Sequence, residues 1–162
     1  MFKSNFIIEN KKYFFWPFLS SLFFFSFAYY IILFGHLHED VYIILNYVKN
    51  FISGNGITYY QDGPRTEGTT DALWFYLISL LSFFGIKIGV SIAILNSLGA
   101  FIISFLFLKI SSEYLSQKYL YIIGIGSLLV IISSPLTAAS IGGFSTLLYS
   151  SLIAIMFYIQ WK

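Results

Sequence analysis

The sequence contains no cysteine and few charged residues, and both absences restrict what the protein can be. Without cysteine, the chain can form neither a disulfide nor a thiolate metal site. Charged residues make up 10% of the 162 residues, whereas a soluble domain usually carries about 25%. Hydrophobic residues make up 58% and aromatic residues 22%. A chain of this composition cannot cover its surface with polar side chains, and we predict an integral membrane protein.

The net charge of +2 is small and dispersed along the chain. It forms no basic patch of the kind that binds nucleic acid, so nucleic acid is excluded as an expected partner. The sequence also lacks a phosphate-binding Walker loop, a dinucleotide-binding glycine pattern and a zinc-protease motif. Membrane lipids are the partners that the composition itself predicts.

Four apolar segments suit a bilayer core of about 30 Å, which a helix of roughly 20 residues crosses. They predict an all-α, polytopic membrane protein that forms one module over residues 1–162, with spans at 13–35, 88–110, 119–139 and 144–161. A fifth segment, Ala72–Ile86, is shorter. If it also spanned, five positive charges would lie outside the cytoplasm and four inside. If it lies along the outer surface, six lie inside and three outside, which the positive-inside tendency favours.

We therefore predict cytoplasmic N- and C-termini and an extracytoplasmic loop at 36–86. Within this loop, apolar residues recur every three or four positions from Val41 to Ile52, which predicts an interfacial helix at 40–53 with Gly54 as its left-handed cap. A second interfacial helix is expected at 72–84, capped by Thr70 or Asp71.

The same loop holds five of the seven acidic residues. Glu39 and Asp40 lie where the first span leaves the membrane, and three interpretations of this pair remain open. The carboxylates can stabilise a helix N-terminus, accept a proton from a hydroxyl group or bind a divalent cation. Such a cation, with Glu39 and Asp40 as ligands, is the only cofactor we consider. His36 and His38 lack the spacing of a helical ligand pair.

The order of residues in the loop resembles a known family. The run Glu39–Ile43 is followed by Asn46-Tyr47, Asn50, Gly54-x-Gly56, Glu67-Gly68-Thr69-Thr70 and Leu73-Trp74. This order is similar to the first extracytoplasmic loop of GT-C glycosyltransferases, in the arabinofuranosyltransferase and mannosyltransferase-like branch. A weaker similarity continues through Ser133-Ser134-Pro135 and Gly142-Gly143-Phe144.

The resemblance implies a fold of many transmembrane helices and a polyprenyl-phosphate sugar as donor. It also implies an inverting transfer to a glycan, lipid or protein acceptor, with a loop carboxylate as base. Asp40 and Glu39 become the base and its partner, with Asp40 preferred because we expect the helix to start there. Glu67 becomes a supporting carboxylate. The other expected substrate-binding residues are Tyr42, Asn46, Asn50, Lys49 and Arg65.

The chain departs from the family pattern at three positions and in length. Asn46 replaces an arginine, Ala72 a proline and Ser145 a glutamate, and family members are usually several hundred residues long. We therefore expect further membrane helices from a continuation of the chain, a second polypeptide or a homo-oligomer. The alternative is a non-catalytic or degenerate membrane subunit that scaffolds a partner. A small transporter is disfavoured, because the acids lie in the loop and not within the spans.

Overall fold

A computed structural model describes residues 2–34, 37–66, 71–116, 119–133 and 135–162, and within these ranges every regular element is an α-helix. The side chains of residues 2–13 and of five positions between 120 and 136 are outside this description. In chain order the helices are α1 (Phe2–Phe34), α2 (Glu39–Ile52), α3 (Ala72–Phe83), α4 (Ile88–Tyr114), α5 (Leu120–Ser133), α6 (Pro135–Ile141) and α7 (Thr146–Trp161).

Two of these helices are long and apolar enough to cross a membrane. They are the segment Phe14–Phe34 of α1, with 21 residues, and the whole of α4, with 27 residues. At 1.5 Å per residue these lengths correspond to about 30 and 40 Å. Helices α3, α5 and α7 are apolar but shorter. The all-helical fold is as predicted, with two candidate membrane-spanning helices.

Several helix boundaries differ from the prediction. Helix α4 continues to Tyr114, one turn beyond the expected end at 110. Helix α7 begins at Thr146, two residues later than the expected start of its span at 144. The expected span 119–139 contains α5 and most of α6. Helix α2 begins at Glu39, one residue earlier than expected.

Contacts between the long helices give their relative directions. Phe14 of α1 packs on Phe105 of α4 with ring centroids 5.4 Å apart, whereas Ile32 lies against Gly89 at the other end of α4. Helices α1 and α4 are therefore antiparallel. Helix α7 runs parallel to α4, because Leu147 contacts Gly99 and Lys162 pairs with Glu113 at 2.7 Å.

Helix α1 finishes at the same end of the bundle at which α4 and α7 begin, and we call this end the loop end. Helix α3 lies along this end, since both of its ends contact first turns there. The Trp74 amide donates a hydrogen bond to the Tyr149 hydroxyl of α7 (3.3 Å). Ser82 is within hydrogen-bond distance of Ser91 of α4 (3.4 Å).

Helix α2 packs beside α3 at the loop end and is amphipathic as predicted. Its Val41 and Val48 are fully buried in a cluster with Trp74 and Ile78 of α3 and with Ile92 of α4. Gly54 follows the helix with a φ of +84°, the left-handed conformation expected of its cap. Burial of this apolar stripe fixes the opposite, polar face of α2 towards the outside of the bundle.

Candidate functional site

Asp40 lies at the start of α2 beside a histidine that precedes the helix. The Nδ1 atom of His38 accepts a hydrogen bond from the Asp40 amide (3.4 Å) and lies 3.5 Å from the Asp40 carboxylate. Both side chains are exposed. The same ring nitrogen of His38 therefore lies near two groups of Asp40, its amide and its carboxylate.

Glu39 is also exposed and is the first residue of α2. In a helix of 3.6 residues per turn, positions 39, 46, 50 and 53 share one face. Glu39 therefore lies on the same polar face as Asn46 and Asn50, about 10 Å along the axis from Asn46. Asp40 lies roughly a third of a turn away from this face.

The start of α2 is fixed by the turn between α6 and α7. The His38 amide donates to the Gly142 carbonyl (3.0 Å), and its ring packs on Phe144 with centroids 5.0 Å apart. Gly143 has a φ of +107°, and a Cβ there would lie 2.7 Å from Val41. Only glycine fits this position. The residues 142–144 and 38–41 are thus in direct contact.

A polar cleft of about 560 Å³ lies on the outer face of α2. We call it the polar cleft. Its walls come from α2 and from the segment that follows, and its lining residues are Asn46, Lys49, Asn50, Ser53, Asn55, Tyr59, Tyr60 and Gln61. Asn50 donates to the Thr58 carbonyl (2.9 Å), and Tyr47 is hydrogen-bonded to Thr66 (2.8 Å). These two bonds hold the segment 53–66 against α2.

The predicted substrate-binding residues are only partly brought together. Asn46, Lys49 and Asn50 line the polar cleft. Tyr42 and Arg65 are exposed and are not part of its lining. Glu67 lies outside the described residues, as does His36.

Asp71 is a residue that the sequence analysis considered only as a helix cap. It precedes α3, yet its side chain makes no capping hydrogen bond. Its carboxylate instead accepts hydrogen bonds from the hydroxyls of Ser145 and Tyr149, at the start of α7. An acidic residue next to a helix gives no sequence signal for such a partner.

A buried amide supports the turn from within the bundle. Asn96 of α4 is fully buried, and its Nδ2 donates to the Phe144 carbonyl (2.8 Å) and the Ser140 carbonyl (3.3 Å). These bonds fit the structural role usual for an amide within a span.

The described residues contain no group of three or more histidine and acidic side chains placed to hold a metal ion. Glu39 and Asp40 supply two carboxylates, and their role as cation ligands stays a prediction. No protein-family model, no curated protein and no solved structure matches this chain.

Proposed function

We propose that this protein is a membrane glycosyltransferase of the GT-C type, or its N-terminal module. The donor is a sugar on polyprenyl phosphate and the acceptor is an extracytoplasmic glycan, lipid or protein. The observation that carries the proposal is the contact of His38 and Val41 with the 142–144 turn. Two segments about 100 residues apart in sequence, which resemble the same family, meet at one end of the bundle beside the acidic pair.

The distribution of positive charge supports a location of this end outside the cytoplasm. The opposite end carries Lys109, Lys162 and the N-terminal part of α1 with its three lysines. The loop end carries Lys49, Arg65 and Lys87. The positive-inside tendency then orients the lysine-rich end towards the cytoplasm. In this proposal α1, α4, the segment 119–139 and α7 cross the membrane, and α2 and α3 lie at its outer surface.

The proposed chemistry is a single displacement. A carboxylate of Glu39 or Asp40 accepts the proton of the acceptor hydroxyl, and the acceptor oxygen forms a bond to the anomeric carbon. The bond from that carbon to the phosphate oxygen breaks, and polyprenyl phosphate leaves with the electron pair. Both carboxylates are exposed at the loop end, where an acceptor can reach them.

One observation favours the second candidate, a non-catalytic subunit. Ser145, which replaces the family's glutamate, is engaged with Asp71 in a contact between α7 and the start of α3. A contact of this kind stabilises the fold, and the serine at position 145 supplies no carboxylate for catalysis. A subunit that only scaffolds a partner requires a stable fold and no catalytic carboxylate.

Sugar transfer in membranes of the native host tests the proposal, since any partner polypeptide is then present. A deletion strain is complemented with the wild type, with Glu39→Gln combined with Asp40→Asn, or with Ser26→Ala as control. Ser26 is exposed on α1 and bonds only its own helix. Incorporation of labelled sugar from the polyprenyl-phosphate pool should be restored by the wild type and the control alone. Equal restoration by the double variant assigns the chain to the non-catalytic role.

A further inference from the structure

The polar cleft has the size of a ligand site. Its volume of about 560 Å³ lies within the roughly 300–1,000 Å³ of small-molecule pockets. It is on the solvent side of α2, opposite the buried valines 41 and 48. The bonds from Asn50 to Thr58 and between Tyr47 and Thr66 hold its walls together, so the cleft is formed without a ligand.

The hydrogen-bonding groups of the cleft are mainly amides. Asn46, Asn50, Asn55 and Gln61 line it, and each amide side chain carries both a donor and an acceptor. Asn50 uses its nitrogen for Thr58, which leaves its oxygen as an acceptor. Sugar hydroxyls likewise donate and accept, so amides match them better than groups that only donate or only accept.

Two tyrosine rings complete the cleft. Tyr60 is 60% exposed and Tyr59 44% exposed. The Tyr59 ring packs on the Tyr47 ring, with centroids 5.7 Å apart. The Tyr60 ring lies beside Gly63, where a Cβ would be 3.0 Å from it. Exposed tyrosine rings offer an amphipathic surface for the C–H face of a sugar.

The charge of the cleft limits the ligand. Lys49 is its one cation, and no acidic side chain is among its lining residues. Recognition of a phosphate or a polyanion generally uses several cationic or backbone N–H donors together. A cleft with four amides, two tyrosines and a single lysine is better suited to an uncharged ligand with many hydroxyls.

We propose that the polar cleft binds a neutral sugar ring of an oligosaccharide. This places a second site on α2, two turns from Glu39 on the same helix face. The proposal that the cleft binds a sugar depends only on its lining residues. Its assignment as the acceptor site rests on the proposed function, and in that case Glu39 faces the acceptor more directly than Asp40.

Ligand-observed saturation-transfer NMR on the full chain in nanodiscs tests the binding. The probes are maltose, cellobiose, lactose and α-1,6-mannobiose as neutral disaccharides, with digalacturonate and inorganic phosphate as charged probes. Variants Asn46→Ala, Tyr60→Ala and Gln61→Ala change the cleft. Tyr30→Ala and Gln160→Ala are matched controls, since both residues are exposed on helices outside the cleft.

We expect at least one neutral disaccharide to bind, with a Kd raised about five- to tenfold by each cleft variant and unchanged by the controls. Lys49→Met should leave this Kd within about twofold. Absence of binding by all four neutral probes, or equal binding by cleft and control variants, would overturn the proposal. Binding of only the charged probes, lost in Lys49→Met, would overturn it in favour of an anion site.

The outcome is separable from the proposed function, because binding requires no transfer. A chain that binds the disaccharide through the cleft but transfers no sugar in host membranes refutes the transferase and not the cleft. A chain that transfers sugar equally well with Asn46→Ala and Tyr60→Ala refutes the assignment of the cleft as the acceptor site and not the transferase.

Discussion

The hydroxyl of Ser145 donates a hydrogen bond to the carboxylate of Asp71, which joins residues 74 positions apart in the sequence. Tyr149, one turn further along α7, donates to the other oxygen of the same carboxylate. The Tyr149 oxygen also accepts the Trp74 amide (3.3 Å). These bonds attach the start of α3 to α7.

We expect Tyr149→Phe to destabilise the protein by about 1–3 kcal/mol, because hydrogen bonds to charged groups contribute about this much and a partly buried carboxylate loses a partner. Thermal unfolding in detergent, followed by tryptophan fluorescence, measures the change. Tyr158→Phe on the same helix is the control and should change the midpoint far less. Equal midpoints for the two variants would show that the Asp71 contact contributes nothing to stability.

The Asp71 contact illustrates which features could be predicted from the sequence and which could not. The pattern of apolar residues predicted α2 and α3 almost to the residue, because hydrophobic periodicity is local in sequence. It could not pair Asp71 with Ser145 and Tyr149, since such a contact depends on how α3 lies across α7. The polar face of α2 was also predictable, and it supplied Asn46, Lys49 and Asn50. The tyrosines of the cleft, Tyr59 and Tyr60, could not be predicted as site residues, because they lie in a segment without hydrophobic periodicity.

The absence of native cysteine permits a direct test of the proposed topology. Single variants Lys87→Cys and Ser116→Cys place a thiol at exposed positions at opposite ends of α4. In intact cells, a membrane-impermeant maleimide should label position 87 and should label position 116 only after permeabilisation. Labelling with the reverse pattern would invert the proposed orientation. Labelling of both positions in intact cells would show that α4 does not span.

The acidic pair offers a test of base chemistry against helix capping. Loss of a general base lowers a rate about 10²–10⁴-fold, whereas loss of a capping residue costs only about 1 kcal/mol of stability. Glu39→Gln and Asp40→Asn are each assayed for sugar transfer in host membranes and for protein level by immunoblot. We expect at least one to lose transfer by 100-fold or more at an unchanged protein level.

The two single variants also separate the two carboxylates. The sequence favoured Asp40 because α2 was expected to start there, but the helix starts at Glu39. If the polar cleft holds the acceptor, Glu39→Gln should cause the larger loss, because Glu39 shares the helix face of Asn46 and Asn50. A larger loss in Asp40→Asn, matched by a similar loss in His38→Ala, would instead assign the base to the contact between His38 and Asp40. Full activity of both single variants would leave capping as their role.

Two glycines of α5 provide a matched pair for the packing of the bundle. Gly124 lies against the indole of Trp16, and a Cβ at Gly124 would be 2.4 Å from that ring. Gly126, two residues further on, has open space at the same position. Gly124→Ala should therefore destabilise the protein by about 1–3 kcal/mol, because the rigid indole must move and α1 and α5 must separate. Gly126→Ala should be neutral or should stabilise the protein by up to about 1 kcal/mol, since alanine is more favourable than glycine in a helix interior.

Thermal unfolding of both variants in the same detergent measures the difference. A Gly124→Ala midpoint equal to or above that of Gly126→Ala would mean that α5 does not pack on α1 through Trp16.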